Sequence, residues 1–326
     1  MLFVTNRTPK ESIRTRINRK INFDLNNNTC ANSVYYCRRD GKHDYTEVGG
    51  FNFMQEIKGH RAEQVLFYIH GFSNLPEDDV FKRTAALQSL FDQKEPDMVL
   101  VVPLIWPCDN DFGIIKDYWD DQKSADQSAF AFSRVLQHFM TWKTKEEEEI
   151  KKNSDHKICY KRINVLAHSM GNRVLRETIW AWNKYDLPHG VPKLFRTTFM
   201  VAADVVNECL EPGKTGDMIC HASRSVVVYH ASDDLALRSS KVSNLKNRIA
   251  SRRLGHSGPE NMDKVSSNVF SVDCDDFNNK YDMPAGHTYF MHDHKGQPGK
   301  VFLHMCETIK KGRVFPQDEY RRTTIL

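Results

Sequence analysis

Short apolar runs rich in β-branched residues alternate along the chain with longer segments whose apolar side chains recur every three or four residues. The short runs predict buried strands, and the spaced segments predict amphipathic helices. Strands are predicted at Leu2–Thr5, Ser33–Cys37, Val65–Ile69, Met98–Trp106, Ile163–Ala167, Thr197–Val205, Ser225–Asp234 and Asn268–Cys274. Helices are predicted at about 76–91, 124–152, after Gly171, and at about 298–310. This alternation predicts an α/β fold with a mostly parallel central sheet and helices on both faces.

The alternation continues from about residue 61 to 310 without a repeat or a low-complexity linker, which predicts a single domain with loop insertions. Residues 1–60 are predicted to be N-terminal strands and loops joined to the main sheet, and 311–326 a polar surface tail. Residues 107–121 and 235–262 interrupt the pattern and are predicted as loops that form a lid or pocket walls.

The chain has 326 residues, a formal net charge of +4 and an ordinary globular composition, so charge gives no reason to expect nucleic acid as a partner. The eight cysteines are scattered, without a Cys-x-x-Cys pair or a Cys/His metal spacing, and are expected to be free thiols. No signal peptide and no apolar run of membrane-spanning length are visible. We therefore expect a cytoplasmic protein with no metal or cofactor; its oligomeric state cannot be inferred.

The most informative stretch is Ala167-His168-Ser169-Met170-Gly171, which lies between a predicted buried strand and a predicted helix. A serine between small residues at such a turn is the layout of a nucleophile elbow, G-x-S-x-G, here with Ala167 at the first glycine position. The alternative is an ordinary strand-to-helix turn capped by a serine.

A second strand runs into His70-Gly71-Phe72, about 100 residues before the serine. In an α/β-hydrolase the loop after this strand gives one backbone N–H to the oxyanion hole, and the residue after the nucleophile gives the other. Phe72 and Met170 are therefore the predicted donors, while His70, Gly71 and His168 either line the pocket or support it.

A serine nucleophile needs a histidine base and an acid that orients it, and on this fold they follow in the order Ser, acid, His. Asp233 and Asp234 both end a strand after the elbow, and Asp204, which ends an earlier strand, is a weaker candidate. His287 fits the base best, because it follows the last strand by about a dozen residues and has Gly286 before it. The other downstream histidines are predicted to be surface or structural residues: His256, His292, His294 and His304.

Five stretches in this order resemble the α/β-hydrolase superfamily, most closely an esterase/lipase-like branch of unknown function. They are residues 67–74, 166–173, 232–237, 253–259 and 286–290. The resemblance implies an α/β-hydrolase fold with a catalytic domain over 61–310. In that branch Asp-x-Ala-Leu follows the strand, which favours Asp234 over Asp233, and Gly286-His-Thr-Tyr-Phe290 matches the family's histidine loop.

The resulting hypothesis is a serine hydrolase that cleaves an ester or related acyl bond of a small or lipid-like substrate, with Ser169, His287 and Asp234 as its triad. One rival is an acyltransferase or thioesterase with the same triad. Another is a non-catalytic hydrolase-fold module whose basic segment, Arg238–Arg253, binds an anionic partner.

Overall fold

The computed structural model describes residues 1–25, 27–108, 114–152, 159–187, 190–237, 252–315 and 322–326. In chain order the strands are β1 (Leu2–Arg7), β2 (Arg19–Lys20), β3 (Cys30–Gly41), β4 (Asp44–Glu47), β5 (Gln64–Ile69), β6 (Val99–Ile105), β7 (Arg162–His168), β8 (Phe195–Val201), β9 (Ser223–His230), β10 (Val269–Asp273) and β11 (Thr323–Ile325). The α-helices are α1 (Gly50–Gly59), α2 (Phe81–Lys94), α3 (Ile114–Lys152), α4 (Gly171–Asp186), α5 (Asp217–Ala222), α6 (Leu254–Ser257), α7 (Asn278–Tyr281) and α8 (Lys300–Lys311). A π-helical turn, Pro76–Val80, leads directly into α2.

The strands form one sheet in the order β11-β10-β9-β8-β7-β5-β6-β1-β3-β4-β2. From β11 to β1 every neighbouring pair is parallel, and the antiparallel strands β3, β4 and β2 widen the sheet beyond β1. Since parallel strands end at the same edge, the loops that follow β5, β7, β8, β9 and β10 lie together. The predicted α/β-hydrolase fold class is confirmed.

The two faces of the sheet are covered by different helices, as a mostly parallel sheet requires. On one face α1, α3, α4 and α5 bury residues such as Phe53, Phe132 and Val174 against β5, β7 and β9. On the other face α2 and α8 bury Leu87 and Phe302 among the remaining strand side chains. The apolar spacing of these helices was visible in the sequence because each helix buries one side only.

One loop prediction was wrong: the loop predicted to run to Asp121 already belongs to α3, which begins at Ile114. Tyr118, Asp121, Gln122 and Ala125 are buried at helical spacing. The periodicity is hidden because two of these residues, Asp121 and Gln122, are polar; Asp121 Oδ2 accepts the Ser73 N–H of the loop after β5 at 3.1 Å. Of the second predicted loop, 235–262, residues 238–251 lie outside the described residues.

The predicted surface tail also contributes to the sheet. Thr323 to Ile325 form β11, which pairs in parallel with β10 from Ser271 to Asp273. A three-residue strand at a sheet edge has no periodicity that a sequence pattern could show, so only the pairing partner defines it.

Candidate active site

Four loops bring the predicted site residues to the carboxyl edge of the sheet. Ser169 directly follows β7, Gly71 and Phe72 follow β5, Asp234 follows β9, and His287 lies beyond β10 and α7. Ligands of open parallel sheets bind at this edge, where loops from neighbouring strands converge. The positions agree with the chain order expected for a serine-based site.

Ser169 occupies a strained turn between β7 and α4. Its φ is 54°, in the left-handed region that non-glycine residues rarely adopt, at a cost of roughly 1–3 kcal/mol. The turn is held by the backbone: Ser169 N–H donates to Val201 O at 3.0 Å, and Ser169 O accepts from Asp204 N at 3.2 Å. These two hydrogen bonds, to the end of β8 and to the turn after it, hold Ser169 in this conformation.

Gly171 shows why the elbow needs a glycine after the serine. A Cβ on Gly171 would lie 2.5 Å from Ile69 O and 2.6 Å from His70 O, so the start of α4 passes against the end of β5. Ala167, in contrast, is an extended residue within β7 that pairs with Ile69 and Met200. The alanine at the first elbow position therefore fits a regular strand conformation.

The Gly71–Phe72 peptide lies beside the serine. A Cβ on Gly71 would be 3.0 Å from Ser169 Cβ and 3.5 Å from Ser169 Oγ, so only a glycine leaves this space open. His70 Nδ1 lies 2.8 Å from Gly71 O and Asn74 Nδ2 donates to it at 3.2 Å. Because a peptide is planar and trans, holding this carbonyl on one side directs the Phe72 N–H to the other.

Phe72 and Met170 carry the two N–H groups predicted for an oxyanion hole. Among the residues that the structure describes, neither N–H donates a hydrogen bond to the protein. Met170 directly precedes the first residue of α4, so its N–H belongs to the unsatisfied, electropositive end of that helix. Both donors are therefore available to a negatively charged oxygen.

His70 supports the loop from inside the fold. Its ring is fully buried and stacks on Trp106 at a centroid distance of 5.2 Å, and the Trp106 indole N–H donates to His70 O at 2.9 Å. Burial lowers the pKa of His70 to about 3, so the ring is neutral. Since a carbonyl only accepts, Nδ1 carries the proton and donates it to Gly71 O.

His287 and Asp234 form a buried pair. His287 Nδ1 lies 2.7 Å from Asp234 Oδ2, and the other carboxylate oxygen of Asp234 accepts the Leu237 N–H at 3.0 Å. The Nε2 atom of His287 is buried and has no hydrogen-bond partner in the described part of the chain, Ser169 included. A neutral His287 held in this way presents a bare nitrogen, the state that a general base requires.

The surrounding carboxylates make His287 easier to protonate. Burial by itself would lower the pKa of His287, but the charge and hydrogen bond of Asp234 outweigh it, and Asp204 and Asp282 add to the effect, so the pKa is raised. The carboxylate is thus placed to stabilise the imidazolium that proton abstraction creates.

Asp233 and Asp204 have other partners. Asp233 accepts hydrogen bonds from the side-chain amides of Asn278 and Asn279 and so anchors α7. Asp204 accepts the Tyr118 hydroxyl at 2.8 Å and lies 3.2 Å from Arg253 Nε. Of the three candidate acids, Asp234 is the one that the fold places against His287.

His168 positions the histidine loop. A carbonyl only accepts, so His168 Nε2 donates to His287 O, at 3.1 Å, and its ring packs between His287 and Phe290. Burial lowers the pKa of His168 well below its ordinary value, and the neighbouring His287 lowers it further. His168 and His70 both act as neutral supports of neighbouring backbone groups.

Two residues of this site were not anticipated from the sequence. Asn74 fixes the Gly71–Phe72 loop, and Asp282 Oδ2 accepts the N–H groups of both His287 and Thr288, at 2.8 and 2.6 Å. The only indication in the sequence was their residue type, because Asn and Asp commonly bind neighbouring backbone N–H and C=O groups in turns.

The other downstream histidines lie away from the Asp234–His287 pair. His304 lies between the Tyr229 hydroxyl and Phe315 O, at 2.6 and 2.8 Å. Within the described ranges no three His, Cys, Asp or Glu side chains, including those of His292 and His294, are grouped as metal ligands. No helix in those same ranges is long and apolar enough to cross a bilayer.

The fold and the carboxyl-edge arrangement define an α/β hydrolase. Residues 50–295 match the family model described as alpha/beta hydrolase of unknown function (DUF900), and the chain belongs to this family. No curated protein matches the chain.

The similarity to solved structures is remote. Phospholipase PlaB from Legionella pneumophila, in complex with thio-NAD, has 12% identity and a TM-score of 0.26, over 65% of this chain and 38% of that one. The chain thus spans well under half of that protein's length. The apo endo-beta-N-acetylglucosaminidase from Cordyceps militaris has 8% identity and a TM-score of 0.23, over 84% and 85%. Likenesses of this size carry no argument about fold or function.

Proposed function

We propose that this α/β hydrolase is a serine hydrolase that cleaves an ester or related acyl bond through Ser169, His287 and Asp234. The observation that carries the proposal is the buried hydrogen bond of 2.7 Å between His287 Nδ1 and Asp234 Oδ2, which leaves Nε2 bare at the edge where the strained Ser169 lies. Structures without substrate often have long nucleophile–base distances that tighten on binding.

In the proposed reaction Ser169 Oγ attacks the carbonyl carbon while its proton passes to His287 Nε2. The tetrahedral oxyanion accepts hydrogen bonds from the Phe72 and Met170 N–H groups, each worth about 100- to 1000-fold in rate in comparable sites. Collapse of the intermediate breaks the ester bond, and His287 protonates the leaving alcohol. Water activated by His287 then hydrolyses the acyl-enzyme and restores Ser169.

The proposal covers small and lipid-like acyl substrates and specifies neither the acyl nor the alcohol group. The same residues could pass the acyl group to an acceptor other than water, or take it from a thioester. The non-catalytic alternative depends on residues 238–253, and 238–251 lie outside the described chain.

The test is fluorophosphonate labelling of the full chain together with hydrolysis of p-nitrophenyl esters of increasing acyl length. Ser169→Ala is expected to abolish labelling and to lower kcat/KM by about 10⁴-fold or more. The matched control is Ser89→Ala, which removes an exposed hydroxyl from α2 and should leave both signals unchanged.

Equal ester hydrolysis by wild type and Ser169→Ala would refute the assignment of the nucleophile. Absence of labelling in the folded wild type would favour the non-catalytic module. Product analysis with added alcohols, amines and thiols separates hydrolysis from acyl transfer.

A further inference from the structure

The Ser169–Met170 peptide carries one of the two predicted oxyanion donors, the Met170 N–H. Its carbonyl, Ser169 O, accepts the backbone N–H of Asp204 at 3.2 Å, together with the backbone N–H and the side-chain amide of Asn172, each at 3.1 Å. Since the carbonyl and the N–H of a planar trans peptide point in opposite directions, these bonds direct the Met170 N–H away from them. The position of Asp204 therefore contributes to the aim of this donor.

Asp204 is itself held by two side chains from distant parts of the chain. The Tyr118 hydroxyl donates to Asp204 Oδ2 at 2.8 Å, and Arg253 Nε lies 3.2 Å from Asp204 Oδ1. All three side chains are buried. Because a buried carboxylate is costly unless hydrogen bonds and an opposite charge satisfy it, these contacts fix the carboxylate and, with it, the turn that follows β8.

Tyr118 also touches the loop that carries the other donor. Its ring meets the ring of Phe72 edge to face, at a centroid distance of 5.8 Å and an interplanar angle of 87°. Three residues further along α3, Asp121 Oδ2 accepts the N–H of Ser73 at 3.1 Å. Ser73 has a φ of 54°, so this hydrogen bond holds a conformation that serine rarely adopts. The first turns of α3 therefore contact both the Gly71–Phe72 loop and Asp204.

We propose that Tyr118 is a positioning residue that joins the two halves of the oxyanion hole. Its hydroxyl acts through Asp204 on the Ser169–Met170 peptide. Its ring acts through the side chain of Phe72 on the loop that carries the other donor. The inference rests on the proposed hydrolase function, in which Tyr118 itself is neither a donor to the oxyanion nor a nucleophile.

The two donor peptides need fixed positions because the oxyanion exists only in the tetrahedral intermediate. Their N–H groups stabilise the transition state and not the bound substrate, and they are effective because they are already aimed when the charge develops. A donor peptide that is free to tilt loses this advantage, so kcat falls while KM stays nearly unchanged. A buried tyrosine that serves packing alone also takes a hydrogen-bond partner, but its removal lowers stability and leaves kcat unchanged.

The test compares Tyr118→Phe with the wild-type full chain, on the p-nitrophenyl ester that the wild type hydrolyses fastest. Phenylalanine keeps the ring contact with Phe72 and removes the hydrogen bond to Asp204. Loss of a whole donor costs about 100- to 1000-fold, so a loosened donor should lower kcat about three- to tenfold, with KM within about twofold of wild type. Inhibition by an alkyl trifluoromethyl ketone, whose adduct with a serine is a tetrahedral oxyanion, should weaken by a similar factor.

Tyr45→Phe is the matched control. The Tyr45 hydroxyl is also buried and also donates to a carboxylate, Glu77 Oε1, at 2.7 Å, but it lies on β4 in the antiparallel part of the sheet. Both variants lose one hydrogen bond to a carboxylate and should lower Tm by a similar amount. Only Tyr118→Phe should lower kcat and weaken the trifluoromethyl ketone.

Asp204→Asn and Asp204→Ala test the same contacts from the other end. Asparagine keeps a carbonyl oxygen that can accept the Tyr118 hydroxyl, alanine has none, and both remove the charge that faces Arg253. We therefore expect kcat to be at least about threefold higher in Asp204→Asn than in Asp204→Ala. In the Tyr118→Phe background this difference should disappear, because the two residues act through one hydrogen bond.

A folded Tyr118→Phe variant with the kcat and ketone inhibition of Tyr45→Phe would overturn the proposal, as would equal kcat in Asp204→Asn and Asp204→Ala. If Tyr118→Phe lacks the circular dichroism spectrum of the wild type, the comparison of the two Asp204 variants decides by itself. Failure of the hydrolase proposal gives a different result, since Ser169→Ala would then hydrolyse the ester as fast as the wild type.

Discussion

The two ends of the parallel strands differ in whether their charged side chains have partners. At the carboxyl ends several charged side chains have a partner of opposite charge or a hydrogen-bonded base: Asp234 contacts His287, Asp204 contacts Arg253, and Arg173 forms a two-point pair with Asp126. At the amino ends Arg162, Arg196 and Arg224 converge without a carboxylate partner in the described chain.

The difference shows what the carboxyl end is suited to do. Proton transfer and oxyanion stabilisation need groups held in fixed positions, and paired, hydrogen-bonded side chains provide that order. Substitutions at the carboxyl end test this interpretation.

The largest expected effect at the carboxyl end comes from Asp234→Asn. Loss of the carboxylate removes the group that fixes the His287 tautomer and stabilises its protonated form, and we expect kcat to fall about 10⁴-fold. Ester hydrolysis and fluorophosphonate labelling rates measure this. Asp233→Asn is the matched control, because its carboxylate binds Asn278 and Asn279 instead, and kcat should stay within about tenfold of wild type once folding is verified.

If Asp233→Asn instead lost as much activity as Asp234→Asn, the assignment of the orienting acid would be wrong.

A smaller effect is expected from Asn74→Ala. Asn74 Nδ2 holds the carbonyls of Gly71 and Phe72, at 3.2 and 2.5 Å, so its loss frees the Gly71–Phe72 peptide that aims the predicted donor. We expect kcat to fall about 10- to 100-fold with little change in KM, since the affected hydrogen bond forms in the transition state.

Gln88→Ala is the matched control for this positioning role. Gln88 also bridges backbone groups through its side-chain amide, to Val99 O and from the Val101 N–H, but it lies on α2 away from the serine. Both variants should lose some thermal stability, whereas only Asn74→Ala should lower kcat. An unchanged kcat in Asn74→Ala would remove the support for a Phe72 donor.

The smallest expected effect is a shift of the pH profile. His287 must be neutral to act as a base, and Asp234 raises its pKa, so kcat/KM should rise with pH through a value above the ordinary 6.5 of histidine. In Asp234→Asn the acid limb should move to lower pH, with a much lower plateau.

An acid limb that stays at the same pH in Asp234→Asn would show that another group controls the protonation of the base.

The pH dependence of stability that comes from His287 runs in the opposite direction to the pH dependence of activity. The raised pKa of His287 stabilises the fold most below the pKa of an unfolded histidine, and that contribution is lost as pH rises through the folded value.

Prediction from the sequence succeeded where one periodicity determines the structure. The parallel strands and the elbow helix α4 have apolar patterns set by burial on one or both faces, so their existence was predicted even where their ends moved by a few residues. The start of α3 was missed because polar Asp121 and Gln122 occupy its buried face. β11 was missed because three residues have no pattern of their own.

The candidate site was partly visible for a similar reason. Ser169, Phe72 and Met170 belong to local turns with short-range signatures, so residue type and spacing were enough to single them out. Asn74 and Asp282 were not visible, because their effect depends on hydrogen bonds to backbone groups whose geometry exists only in the folded loops.

The sequence by itself determined the α/β order, the elbow turn and the set of candidate acids and bases, because these follow from periodicity and residue chemistry. Only the tertiary structure decided that Asp234 and not Asp233 faces His287, since neighbouring residues on one turn point in different directions. The grouping of Arg162, Arg196 and Arg224 likewise arises from parallel pairing of three strands that are distant along the chain. Contacts of this kind come from long-range register, which no local pattern specifies.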